Sequence, residues 1–80
     1  MPATYDPEKI AEATLALLGA SEFDNGRAWK GYDFDVMDRL HAEGMISDPR
    51  NRNQSVHLTP EGLARAKALA DAWFGALTTH

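Results

Sequence analysis

The first run of apolar residues at helical spacing begins a few residues into the chain. Asp6 can cap a helix there, and Pro7 at its first position gives up no backbone donor that the helix needs. The apolar positions that would share one helical face are Ile10, Ala13 or Thr14, Leu17 and Leu18. The pattern predicts helix one over about residues 7–20.

A polar stretch interrupts this periodicity over residues 21–32. The tripeptide DNG at residues 24–26 is a turn signal, so we predict a structured loop or a single helical turn. Its three large aromatic residues, which we expect to pin the loop to the rest of the domain, are Phe23, Trp29 and Tyr32.

Helical spacing returns over residues 33–43, where Asp33 can act as the cap. The apolar residues Val36, Met37 and Leu40 would form the inner face of helix two. Gly44 then suits the left-handed conformation that often ends a helix.

Two short apolar stretches flank a polar segment over residues 45–59 and predict a β-hairpin. In its second strand, alternation predicts Val56 and Leu58 inward, with Ser55, His57 and Thr59 outward. Thr59 and Pro60 then repeat the cap and proline signal, and helix three is predicted over residues 60–77. Its apolar stripe comprises Leu63, Ala66, Leu69, Ala70, Trp73, Phe74 and Leu77.

The order of these elements predicts a small α+β domain of winged-helix type. Three helices are expected, with a two-stranded β-hairpin, the wing, between helices two and three. The segments LHAEGMISD and SVHLTPEGLARA resemble bacterial winged-helix regulators, in which the helix before the wing lies in the DNA groove. Those regulators have a further helix where this chain has only residues 21–32, so the module is shortened.

A closer resemblance covers nearly the whole chain. The segments RAWKGYDFDVMDRLHAEGMISDP and SVHLTPEGLARA, with AEATLALL in helix one, are similar to a small bacterial family of uncharacterised proteins, a domain of unknown function of about this length. The positions that carry this resemblance are 27–31, Asp33, Asp35, 38–41, 55–56 and 58–59. The resemblance implies membership and, by analogy, a winged-helix-like fold; it implies no known activity, substrate or site.

Length and composition narrow the class of protein. The chain has 80 residues, enough for one domain, with 44% hydrophobic and 25% charged residues. It has no cysteine, which excludes disulfides, thiolate metal sites and a cysteine nucleophile and fits a reducing cytoplasm. No stretch approaches the roughly 20 apolar residues of a spanning helix, and the N-terminus does not read as a signal peptide. We therefore expect a cytoplasmic domain with no membrane partner.

Charge is unevenly distributed along the sequence. Residues 1–48 carry ten acids against four bases, whereas residues 49–80 carry two acids against four bases. The net charge of −4 disfavours nucleic acid as a partner, because phosphate contacts dominate that affinity. A DNA-binding regulator that reaches DNA through Arg50 and Arg52 in the basic wing stays an alternative.

The candidate binding residues lie in the loop and in the wing. They are Arg27, Trp29, Lys30, Arg50 and Arg52. Trp29 has two interpretations: an exposed anchor for a protein partner, or a core side chain that fills the place of the missing helix. We favour the core, because so small a domain needs its large apolar side chains inside. Arg27 and Lys30 would then point to solvent, or Arg27 would pair with an acid of helix two.

No catalytic or cofactor motif is present. The sequence has no glycine-rich phosphate loop, no H-E-x-x-H and no G-x-S-x-G, and we expect a non-enzymatic protein without cofactors. Asp35, Asp38 and His41 share a face of helix two, but two or three ligands fall short of a metal site. An ion pair between Asp35 and Arg39 is the simpler expectation.

These observations favour an interaction module whose target is a protein. The acidic residues Asp35, Asp38 and Glu43 would suit a basic partner. Trp73, Phe74 and Leu77 either cover helix one or join two copies, and we expect a homodimer through the helix at residues 60–77.

Overall fold

The computed structural model describes residues 5–50 and 52–75, and it has the predicted α+β architecture. In chain order the elements are α1 (Pro7–Ala20), β1 (Arg27–Trp29), α2 (Phe34–Ala42), β2 (Ser55–His57) and α3 (Pro60–Phe74). Each helix begins at a side-chain cap, and the three capping residues are Asp6, Asp33 and Thr59. No helix of the described residues is both long enough and apolar enough to cross a membrane.

The chain between α2 and α3 folds back on itself as an antiparallel hairpin, which confirms the predicted fold class. Its two sides meet at an antiparallel bridge between Ile46 and Leu58. The Ser47 amide donates to the His57 carbonyl oxygen at 2.8 Å. At the start of this hairpin Gly44 has a φ of 78°, and its amide donates to the His41 carbonyl. The left-handed end of α2 predicted at Gly44 is therefore confirmed.

The prediction of a loop over residues 21–32 is wrong for Arg27–Trp29, which form β1 and pair with β2. The register is antiparallel, with Arg27 opposite His57, Ala28 opposite Val56 and Trp29 opposite Ser55. The DNG turn reverses the chain through three successive residues with positive φ, so that Phe23 bridges Arg27. The DNG signal predicts the turn, but the strand that follows the turn was not predicted.

The buried core lies where α1 and α3 cross and where α2 and the sheet close over them. The core residues are Ala11, Leu15, Leu18, Ala28, Met37, Leu40, Met45, Ile46, Val56, Leu58 and Ala66. Small residues allow α1 and α3 to approach closely: a Cβ placed on Gly19 would lie 2.7 Å from the Ala66 carbonyl carbon. Gly62 likewise leaves room for the backbone of Met45.

The inner face of α1 differs from the prediction at two positions. Ile10 and Leu17 are 40% and 43% exposed, whereas Ala11 and Leu15 are buried. α1 contacts both α2 and α3. The buried face of α1 is therefore the one directed toward these two helices, and Ile10 and Leu17 lie outside it. Thr14 is buried and donates from its hydroxyl to the Ile10 carbonyl at 2.9 Å.

One of the remaining surface predictions is also changed, and one that was left open is decided for the described residues. Ser55 is buried, not outward in solvent, because the Arg27 side chain lies over it. On α3, Ala66 and Ala70 are buried as part of the apolar stripe, while Trp73 and Phe74 are 48% and 43% exposed. The predicted last part of the stripe, Leu77, lies outside the described residues.

Candidate functional site

The exposed face of the two-stranded sheet carries the first group of candidate residues. Arg27 and Trp29 project from one side of β1, and Ala28 between them projects into the core opposite Val56. The alternation follows from strand geometry, since successive side chains point to opposite faces. The pairing with β2 therefore determines that Arg27 and Trp29 share a surface.

Trp29 is 57% exposed, so its predicted place in the core is wrong. Ala28 takes the inward position of β1, and the core is closed without an indole ring. Instead the Trp29 ring packs on the partly buried Phe23 ring, with centroids 4.7 Å apart and planes inclined by 33°. The contact is a tilted aromatic pair whose centroid separation lies within the range of favourable ring pairs.

Arg27 extends the stack rather than pointing freely to solvent. Its guanidinium carbon lies 5.3 Å from the centre of the Phe23 ring. Two of its nitrogens donate to the Ser55 hydroxyl, at 2.8 and 3.2 Å, and a third lies 3.3 Å from an Asp24 carboxylate oxygen. Arg27 therefore pairs with the turn residue Asp24 and not with an acid of α2.

Lys30 connects the strand to the wing, and it too departs from the expectation of a solvent-pointing side chain. Its ammonium donates to the Pro49 carbonyl at 2.8 Å, and its backbone amide donates to the Gln54 carbonyl at 3.1 Å. These two contacts bring both ends of the wing connection, residues 49–54, against the end of β1. Lys30 and Arg50 are 20 residues apart in sequence, and the Lys30–Pro49 hydrogen bond brings the end of β1 beside the start of the wing connection.

Arg50 is held against α2 by a two-point ion pair. Its Nη2 and Nε atoms lie 2.6 and 3.3 Å from the two carboxylate oxygens of Asp38. Its guanidinium carbon also lies 5.2 Å from the centre of the exposed Phe34 ring. The hydrogen bonds that Arg50 donates to the Asp38 carboxylate raise the pKa of the Arg50 guanidinium above its ordinary value. Arg52 is exposed two residues further along.

We call the resulting region the aromatic–basic surface. Its members are Phe23, Arg27, Trp29, Lys30, Arg50 and Arg52. The sequence predicts five of these six residues as binding candidates and predicts Phe23 only to pin the loop. The support that Phe23 gives to Trp29 is evident only in the structure, as are the acceptors Ser55 and Asp38. An alternating Arg-Ala-Trp directly after a turn signal could have indicated a strand with an outward tryptophan.

The acids of α2 make other contacts than expected. Arg39 lies 3.3 Å from Glu43 and 3.9 Å from Glu8, in place of the predicted pair with Asp35. Because Asp38 is bound by Arg50, it is not available beside His41. Across the residues that the structure describes, no three histidine or acidic side chains are arranged to hold a metal ion.

Comparison with known proteins finds a family match over most of the chain. A family model described as a domain of unknown function, DUF6429, matches residues 6–76. The chain is 47% identical over 64 residues to the uncharacterized protein y4hR of Sinorhizobium fredii (strain NBRC 101917 / NGR234). That alignment covers 80% of this chain and 86% of y4hR. No solved structure matches the chain. The match confirms the expected resemblance to a small bacterial family of unknown function.

Proposed function

The chain belongs to the DUF6429 family, and from that premise we propose that it is a non-catalytic module that binds a protein partner through the aromatic–basic surface. The observation that carries the proposal is the exposed Trp29 ring, 57% accessible and stacked on Phe23. Tryptophan and arginine are the residues most enriched among those that dominate protein–protein binding energy. Here both occur side by side on one strand.

Preorganisation supports this role. Phe23 exchanges two backbone hydrogen bonds with Arg27, at 2.7 and 2.8 Å, and this pairing holds the ring beneath Trp29. Arg27 is tied at its far end to Ser55. A partner that docks here has few rotamers to immobilise, and this raises affinity for a given contact area.

The charges favour a protein over DNA. Asp38 lies against Arg50, and Asp24 lies against Arg27, so both of these arginines already face a carboxylate. A DNA-binding wing needs its cations for phosphates. The winged-helix interpretation and the DNA alternative that goes with it are supported by the order of elements alone. The surface better suits an apolar side chain flanked by carboxylates in the partner. A cytoplasmic site of action belongs to the same proposal and fits the lack of cysteine.

The test is affinity capture with the full chain from cells that produce it natively, followed by reconstitution with each purified candidate. Titration calorimetry then compares the wild type with Trp29→Ala and with Trp73→Ala, an equally drastic change of an exposed tryptophan on α3. We expect Trp29→Ala to weaken the complex by about 2 kcal/mol or more, roughly thirtyfold, because anchors of this kind carry such values. Trp73→Ala should leave binding nearly unchanged.

A parallel titration uses labelled mixed-sequence duplex DNA at low and moderate salt, with the Arg50→Glu/Arg52→Glu double variant. Binding that falls steeply with salt and disappears in the double variant would replace the protein-partner proposal by the DNA alternative. A partner that binds Trp29→Ala as tightly as the wild type would refute the role of the aromatic–basic surface.

A further inference from the structure

A second surface, separate from the aromatic–basic surface, lies between the starts of α1 and α2. It is an open groove of about 260 Å³. The residues that line it are Pro7, Ile10, Asp33, Asp35, Val36 and Arg39. Pro7, Ile10 and Val36 supply an apolar floor, and Ile10 is 40% exposed although it belongs to a helix of the core. The groove is smaller than the roughly 300–1,000 Å³ of small-molecule sites, so its size suits one or two aliphatic side chains.

The rim of this groove is negative. Asp35 is exposed, and Asp33 is exposed while its carboxylate accepts from the Val36 amide at 3.3 Å. The single cation in the lining, Arg39, lies 3.3 Å from Glu43 and 3.9 Å from Glu8. Asp33 and Asp35 in the lining and the two carboxylates that face Arg39 therefore number four beside one guanidinium. The two helix N-termini offset about half a charge each, which leaves a clear negative excess.

The negative field continues along α1. A smaller cavity of about 40 Å³ beside the groove is lined by Glu8, Glu12 and Glu43, with Arg65 as its cation. Arg65 is bound to Glu12 at 2.9 Å, so it does not reverse the local sign. An apolar floor inside a negative rim selects a partner that is apolar and positive at once.

We propose that this groove docks a cationic segment of another protein, in which an aliphatic side chain enters the floor and flanking lysine or arginine side chains meet Asp33 and Asp35. Charge complementarity selects this occupant. An acidic segment would be repelled by the rim, because it would bring like charge to Asp33 and Asp35. The proposal goes beyond the partner of the aromatic–basic surface and does not depend on it.

The test is an NMR titration of the ¹⁵N-labelled full chain with three acetylated and amidated pentapeptides. The sequences are Lys-Leu-Lys-Leu-Lys, Glu-Leu-Glu-Leu-Glu and Lys-Ser-Lys-Ser-Lys. We expect the first peptide to shift the amide signals of Ile10, Asp35 and Val36 in a saturable way at low salt. The acidic peptide and the serine peptide should not do so, because each lacks one of the two required properties.

The variant that tests the rim is Asp33→Asn/Asp35→Asn, since asparagine at position 33 can still cap α2. We expect about fivefold weaker binding of the lysine–leucine peptide, from two exposed charge contacts removed together. The matched control is Glu61→Gln/Asp71→Asn, which removes the same charge from exposed positions of α3 and should change affinity by less than about twofold.

Three outcomes overturn the proposal. They are no saturable shift up to millimolar peptide, equal binding of the acidic peptide, and equal loss in the α3 control. A fourth outcome also overturns it: the lysine–leucine peptide shifts the amide signals of Trp29 and Phe23 instead, and so binds the aromatic–basic surface and not the groove. Failure here leaves the Trp29 titration standing, because the two experiments read different residues.

Discussion

The Phe23–Trp29 stack makes a quantitative prediction about how firmly the aromatic–basic surface is preformed. The perturbation is a double-mutant cycle of wild type, Phe23→Ala, Trp29→Ala and both changes together. Trp29 is 57% exposed, so 43% of its surface is covered. Taking a tryptophan as roughly 250 Å², about 100 Å² is removed from water, which corresponds to at most about 2.5 kcal/mol for Trp29→Ala.

The coupling free energy between the two rings is the informative quantity. Their 4.7 Å centroid separation and 33° tilt lie within the range of favourable aromatic pairs. Such pairs contribute about 0.5–1.5 kcal/mol beyond the area that they bury. We expect the free energies of unfolding of the four proteins, measured by urea denaturation, to give a coupling of that size.

A matched cycle provides the control. The control cycle combines Phe23→Ala with Trp73→Ala, because these two rings are not in contact among the described residues. The coupling free energy of this cycle should stay below about 0.5 kcal/mol. If the Phe23–Trp29 coupling is no larger than that of the control, the rings do not support each other in solution. Trp29 would then not be a preorganised anchor.

Three further predictions concern the helices and their contacts. Gly19→Ala should lower the free energy of unfolding, measured by urea denaturation, by about 1–3 kcal/mol, because the new Cβ would lie 2.7 Å from the Ala66 carbonyl. This cost should exceed the gain from the better helix propensity of alanine. A stabilised variant would contradict the close approach of α1 and α3. The hydrogen bond from Lys67, and then the one from the Gly26 amide, lower the pKa of Glu22 from 4.5. The ionised Glu22 carboxylate therefore contributes stability above pH 4.5, and this contribution is lost as the pH falls through the lowered pKa of the folded protein. Glu22→Gln should flatten that acid limb of a stability–pH curve, and an unchanged limb would exclude Glu22 as its source. A homodimer through the helix at residues 60–77 stays a prediction. By sedimentation equilibrium the wild type should have the mass of a dimer and Trp73→Glu the mass of a monomer, and a monomeric wild type would refute the prediction.

Local rules of the sequence were sufficient to predict the helices. Asp6, Asp33 and Thr59 each stand where a cap is needed, and each accepts a backbone hydrogen bond at the start of its helix. Gly44 occupies the left-handed position that ends α2, with a φ of 78°. These signals act within one turn of helix, so they can be recognised without knowledge of the tertiary contacts.

The positions that were wrongly predicted depend on contacts between distant residues. The strand at Arg27–Trp29 has only three residues, so its local signal is weak and its place in the sheet depends on its pairing with Ser55–His57. That pairing brings Ala28 inward and leaves Trp29 outward. Similarly, Ile10 is exposed because α1 turns a different arc toward its two neighbouring helices. Hydrophobicity alone could not decide either position.

The same strand pairing changes how the net charge of the protein should be interpreted. Arg27 and Lys30 lie in the acidic half of the sequence, but β1 carries them to the basic segment at residues 49–57. Asp33 and Asp35, from the same half of the sequence, lie instead at the groove between α1 and α2. A net charge of −4 therefore describes neither surface. If both proposals hold, partners of opposite charge bind at separate places, and added salt should weaken both complexes. Neutralising Asp33 and Asp35 should weaken the complex at the groove alone.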